Sequence, residues 1–158
     1  MSISKIKSYA KINLSLGVLS KLKPKFHRIE SLVSFINLHD EISIQKINKK
    51  KHKVVFYGEF SKNIPNKNTI SKLLKLLDKQ NLLKNKKYLI KIKKNIPLKS
   101  GMGGGSMNAS SVLRYFINKN KVLLNAAQIS KIANKIGSDV MLGMEKKKFD
   151  ITRKWQTI

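Results

Sequence analysis

The chain has 158 residues, 41% of them hydrophobic, enough for one ordinary domain with its own core. It contains no cysteine, which excludes disulfides, thiolate metal sites and a cysteine nucleophile, and fits a reducing compartment. Lysine and arginine total 34 against 8 acidic residues, a formal net charge of +26. Arginine occurs only as Arg28, Arg114 and Arg153, so the charge is nearly all lysine, spread along the chain. That distribution reads as solvated faces, whereas nucleic-acid surfaces favour the forked donors of arginine. No apolar run approaches the roughly 18–20 residues of a membrane span. The N-terminus has neither an apolar block nor a small-residue cleavage site. The expectation is a cytoplasmic protein with no membrane partner and no specific nucleic-acid partner.

Residues 11–19 alternate, with Ile12, Leu14, Leu16 and Val18 on one face, as in a half-buried strand. Leu22 to His27 is charged, holds Pro24 and reads as a turn or loop. Ile29 to Leu38 fits both a helix and a buried strand. Glu41 to Ile47 alternates again, with Ile42 and Ile44 on one side. The polar lysine cluster 48–53 reads as a hairpin connection. Val54 to Phe60 is rich in β-branched and aromatic residues and reads as a strand. Asn63 to Asn68 is a loop around Pro65, and Asn68 is placed to cap a helix carrying Ile70, Leu73, Leu74, Leu76 and Leu77. Tyr88 to Lys94 is another alternating strand. A glycine-rich loop follows, then a helix from about Ser106 to Asn118 with Val112, Leu113, Tyr115 and Phe116. Asn125 caps a further helix through Ile129, Ile132, Ala133 and Ile136, which Gly137 ends. Beyond Asp139 neither periodicity nor a closing element is visible. Strands followed by mixed helices predict an α+β domain, a mixed sheet with packed helices.

The glycine loop carries the chemistry. Four of the eight glycines, Gly101, Gly103, Gly104 and Gly105, fall within five positions between a strand and a helix. Free N–H groups opening a helix suit a phosphate. The loop is not a Walker A motif, since no Gly-Lys-Ser/Thr closes it. It is not the dinucleotide fingerprint either, since Ser106 stands where the last glycine is required. A flexible turn is the alternative, but Ser106 and Asn108 at the helix start favour a phosphate cradle. Lys11, at the head of the first strand, and Asp139, after Gly137-Ser138, are two further polar groups. Taken singly, they read as a solvated lysine and a turn aspartate.

Taken together, five ordered segments resemble the GHMP small-molecule kinases. They are Tyr9-Ala10-Lys11-Ile12-Asn13-Leu14, Phe26-His27-Arg28-Ile29-Glu30-Ser31-Leu32, Asn66-Lys67-Asn68-Thr69, Ile96 to Ala109, and Ile136 to Val140. The resemblance spans about residues 6–143. It implies the ribosomal-protein-S5-domain-2-like fold of the GHMP N-terminal domain. It also implies transfer of the γ-phosphoryl group of ATP, with Mg2+, to an alcohol. The members most similar act on the 2-hydroxyl of a CDP-linked methylerythritol in non-mevalonate isoprenoid biosynthesis.

By that resemblance Asp139 is the general base and Lys11 the lysine beside it, offsetting charge on the transferring phosphoryl. Leu98, Lys99, Ser100, Gly101, Met102, Gly103, Gly104, Gly105 and Ser106 wrap the ATP phosphates, and Asn68 meets the nucleotide base. Asn13 lies beside the substrate, Phe26 stacks on the cytosine and His27 reads it. No protein metal site is implied. The chain departs from the family pattern in several places: Phe26 for tyrosine, Lys23-Pro24-Lys25 for an Asp-Gly stretch, Lys99-Ser100 for small residues, Met107 for serine, and Met141-Leu142-Gly143 after the aspartate. The family's second domain is not matched. The expectation is therefore an N-terminal ATP- and substrate-binding domain at 1–145, an unassigned lysine-rich tail at 146–158, and activity that depends on the missing half. The partner is a small molecule, and a homodimer is compatible with this reading. Two alternatives stay open: another GHMP kinase, or a non-catalytic basic module binding nucleotide or RNA.

Overall fold

The computed structural model describes residues 2–23, 26–119 and 121–144, and over 18–23 and 26–29 the backbone course alone. In chain order the elements are β1 (Ile3–Lys23), β2 (Phe26–Ile47), β3 (Lys53–Tyr57), a 3-10 turn (Glu59–Ser61), α1 (Thr69–Lys79), β4 (Lys87–Lys93), α2 (Gly104–Asn118), α3 (Ala126–Ile136) and α4 (Val140–Met144). The strands form one sheet in the order β1-β2-β4-β3. β2 runs antiparallel to β1 and β4, and β3 runs parallel to β4. The predicted mixed sheet with packed helices is therefore the observed architecture.

Period-two patterning builds the core. Ile42 pairs with Ile92 and Ile44 with Ile90 across β2 and β4, all at most 1% exposed. The same cluster takes Ile70, Leu73, Leu74 and Leu77 from α1, Val112, Leu113 and Phe116 from α2, and Ile132 and Ile136 from α3. Each such side chain contributes about 1.5–3 kcal/mol when fully buried. Tyr88 meets Phe116 edge-on, with ring centroids 4.9 Å apart. α1 and α3 begin at reciprocal capping boxes, Asn68 with Ser71 and Asn125 with Gln128, as the sequence indicated for both asparagines.

Several expectations are corrected. The ambiguous segment 29–38 is strand, part of the 22-residue β2. β1 continues to Lys23 and β2 starts at Phe26, so 22–23 and 26–27 of the loop read over 22–27 are strand, and 24–25 lie outside the described residues. Residues 48–52 are not a hairpin connection. β4 occupies the place beside β2, and parallel pairing of β3 with β4 requires the crossover that α1 provides. Leu14 and Leu16 are about half exposed. β2 pairs with β4 only over 41–47, so beside Leu14 and Leu16 the sheet is the β1–β2 pair alone. The strand read through Phe60 ends at Tyr57. α2 starts at Gly104, two residues early, and α4 closes the described chain where no element was expected. Gly137 does end α3, but in an extended conformation (φ 175). Among the described residues no helix is long and apolar enough to cross a membrane.

Candidate functional site

β4 ends at Lys93 and the chain reaches α2 through the glycine loop. Left-handed conformations at Lys99 (φ 57), Gly101 (φ 75) and Gly103 (φ 64) fold that loop back over the sheet. It is tied to β1 by the Lys11 N–H, which donates to the Met102 carbonyl at 3.1 Å. That bond lies where the β1–β2 register shifts, between Tyr9 and Lys11, so the amide is free to leave the ladder. No side chain caps α2. The N–H groups of its first turn have no acceptor within the helix, an arrangement that suits an anion.

Three predicted residues converge below this helix end. Lys11 is 7% exposed, and its ammonium donates to Asn13 Oδ1 at 3.0 Å and lies 3.5 Å from Asp139 Oδ2. Asp139 keeps 29% of its side chain exposed, so an acceptor from solvent can reach it. Gly103 closes the group. A Cβ there would fall 3.0 Å from Lys11 Cγ and 3.6 Å from Asp139 Oδ2. Ser106 is adjacent, its hydroxyl 3.4 Å from where a Cβ on Gly137 would sit, beside the turn that presents Asp139. The folded chain thus assembles a cation, a carboxylate and an uncapped helix start from residues 11, 103, 106 and 139.

Asn68 is committed to capping. Its Oδ1 accepts from the Ser71 N–H at 3.0 Å, and its Nδ2 donates to the carbonyls of Pro65 and Asn66. The start of α1 nevertheless borders the loop, because Thr69 Oγ1 donates to the Gly105 carbonyl at 2.7 Å. Leu98, Lys99, Ser100 and Gly101 are exposed on the loop. The backbone of Phe26 and His27 opens β2, opposite Lys23 and Lys21; their side chains lie outside the described residues. A cleft of about 500 Å³ lies elsewhere, along the flank of α2 between Tyr9, Phe35, Arg114 and Gly143, and holds none of the predicted residues.

Sequence reasoning missed a buried polar cluster under the loop. Asp40 has no exposed surface. Its Oδ1 accepts the N–H groups of Asn95 and Ile96 at 2.8 and 2.9 Å. Its Oδ2 accepts Asn108 Nδ2 at 2.8 Å and the ammonium of Lys94, itself 2% exposed. In a chain so rich in lysine, Lys94 carried no signal. The usable hint was an aspartate, Asp40, inside an otherwise apolar strand pattern.

The GHMP kinases N terminal domain model matches residues 68–152, more than half of the chain. The chain is 59% identical over 145 residues to the 4-diphosphocytidyl-2-C-methyl-D-erythritol kinase of Pelagibacter ubique (strain HTCC1062), covering 92% of this chain and 51% of that protein. It is 39% identical over 133 residues to the protein of the same name from Thermotoga maritima, covering 84% and 46%. The chain thus spans about half the length of the curated relatives it matches. A crystal structure of 4-(cytidine 5'-diphospho)-2C-methyl-D-erythritol kinase superposes with a TM-score of 0.70 at 21% identity, covering 89% of this chain and 48% of that one. Homoserine kinase from Cytophaga hutchinsonii gives 0.60 at 16%, covering 89% and 42%. One fold therefore serves kinases of different acceptors, and the fold alone does not choose among them.

Proposed function

The chain belongs to the GHMP kinases through their N-terminal domain, and we propose that it forms the nucleotide-binding and acceptor-activating half of a small-molecule kinase acting on 4-diphosphocytidyl-2-C-methyl-D-erythritol in isoprenoid biosynthesis. The observation that carries this reading is the Lys11–Asp139 pair, 3.5 Å apart, beneath an uncapped helix start and a glycine loop. The α2 amides and the loop from Leu98 to Ser106 hold the ATP phosphates. Asn68 belongs to the wall at the base of the nucleotide. Asp139 accepts the proton of the 2-hydroxyl as its oxygen bonds to the γ-phosphorus, and the bond from that phosphorus to the bridging oxygen breaks to release ADP. Lys11 offsets the charge spread over the transferring phosphoryl, where positioning and electrostatics do most of the work. Asn13, bonded to Lys11, faces the acceptor. Phe26 and His27 supply the stacking and hydrogen bonding that a cytosine calls for.

Mg2+ fits this site as a companion of the triphosphate. Mg2+ keeps several waters and takes one or two protein oxygens beside substrate phosphates. The Ser106 hydroxyl at the start of α2 is the protein oxygen that would hold it, leaving Asp139 free for the proton, and among the described residues no group of three or more His, Cys, Asp or Glu could hold a metal ion. When bound, it would neutralise charge between the β- and γ-phosphates.

The test is ADP release from ATP by the chain joined to the C-terminal half of the Pelagibacter ubique relative, with the CDP-linked methylerythritol, homoserine or mevalonate as acceptor. Turnover is expected with the first alone, and Asp139→Asn should lower it by about 10²–10⁴-fold, the range of a general base. Turnover with only homoserine or mevalonate would overturn the acceptor, and none with the CDP-linked compound would overturn the activity.

A further inference from the structure

We infer that Asp40 is the positioning residue of the glycine loop, fixing both of its ends with one buried carboxylate. The inference rests on reading that loop as the nucleotide site. Asn95 and Ile96, whose amides bond Asp40 Oδ1, are the last residues before the loop departs at Pro97. Asn108, whose amide bonds Oδ2, lies one turn inside α2, where the loop arrives. One side chain therefore sets the distance between the departure of the loop and the helix that receives it.

Asp40 is held in turn. Asn95 Nδ2 donates to the His39 carbonyl at 2.9 Å, locking the strand beside it. Lys94 neutralises its charge where no water reaches either group, since the two side chains are 0% and 3% exposed. The Lys94 ammonium also lies 3.2 Å from where a Cβ on Gly104 would sit, so the ion pair packs directly under the first helical residue. Asn108 Oδ1 is buried with no partner among the described residues. Its amide bond to Asp40 is thus a polar tie of the start of α2, beside that of Thr69 to the Gly105 carbonyl. A buried carboxylate with four donors is costly to assemble and costly to break, so its partners keep one arrangement. The Lys11 amide bond to Met102 is downstream of that arrangement: it forms only if the loop crosses β1 at the right height.

The experiment compares the full chain with Asp40→Asn, Asn108→Ala and, as a control for general destabilisation, Ile42→Val in the core. Native-state amide hydrogen exchange is followed by NMR at urea concentrations that equalise global stability, and ATP affinity is measured by calorimetry with ATP as the probe. Asp40→Asn and Asn108→Ala should speed exchange of the Lys11 amide by about tenfold beyond the control, and weaken ATP by about tenfold, the effect of losing one charge-assisted bond. Amides of α1 and α3 should follow the control. Loop exchange and ATP affinity that track global stability in all three variants would overturn the inference. Should Asp40→Asn fail to fold, Asn108→Ala decides, because it leaves the Asp40–Lys94 pair intact. If the unmodified chain binds no ATP, the nucleotide reading falls, while the exchange data still decide the role of Asp40.

Discussion

Alanine at Gly103 and at Gly101 separates backbone strain from contact at the same loop. Both glycines are left-handed, at φ 64 and 75. A Cβ in that region costs about 1–2 kcal/mol at either position. For a chain of this size that is a fall in Tm of roughly 2–8 °C. The two sites differ in what the added methyl meets. At Gly101 nothing lies within 4 Å; at Gly103 it falls 3.0 and 3.3 Å from Lys11 Cγ and Cε. Lys11 cannot simply swing aside, because it is nearly buried and held by Asn13 and Asp139. Gly101→Ala should therefore show strain alone. Gly103→Ala should add displacement of the Lys11 ammonium, with a further loss of about 1–3 kcal/mol typical of overpacking. Urea unfolding measures the stabilities, and ATP affinity and turnover report the site. Equal effects of the two substitutions on stability and on ATP would refute the argument that Gly103 shapes the Lys11–Asp139 pair.

Gly143→Ala should cost about 1–3 kcal/mol, because its Cβ would lie 2.0 Å from Ser110 Oγ and 2.7 Å from Ser110 Cβ, forcing α4 off α2; the double variant with Ser110→Gly should be less destabilised than the sum of the singles in urea unfolding. Asn68→Ala removes the capping box of α1 and should cost about 1 kcal/mol, read as a lower urea midpoint with an unchanged slope. Burial pushes the Asp78 carboxyl up, but hydrogen bonds and charge from Lys87 and His52 outweigh it and hold it below its usual 3.8. Its stabilising contribution is present above that value and lost as pH falls through the lower folded value. The stability difference between the protein and Asp78→Asn should thus shrink between about pH 5 and pH 2, and a constant difference across that range would contradict it.

The sequence by itself determined what depends on near neighbours. Asn68 and Asn125 mark helix starts because a capping box closes within three residues. The alternation in 41–47 and 88–94 marks strands because side chains one residue apart face opposite sides of a sheet. The glycine loop stands out because its conformations are ones few other residues adopt. Tertiary structure decided what depends on residues far apart. The place of β3 beside β4 could not be read from 48–53, because nothing in that segment encodes which strand already pairs with β2. Leu14 and Leu16 alternate like core residues yet stay exposed, because burial depends on what packs against a strand and not on the strand's own pattern. Lys11 and Lys94 look like any other lysine in a chain of such charge. Only folding brings one to Asp139 across 128 residues (139 − 11), at a partly open site, and the other to Asp40 across 54 (94 − 40), where both groups are buried.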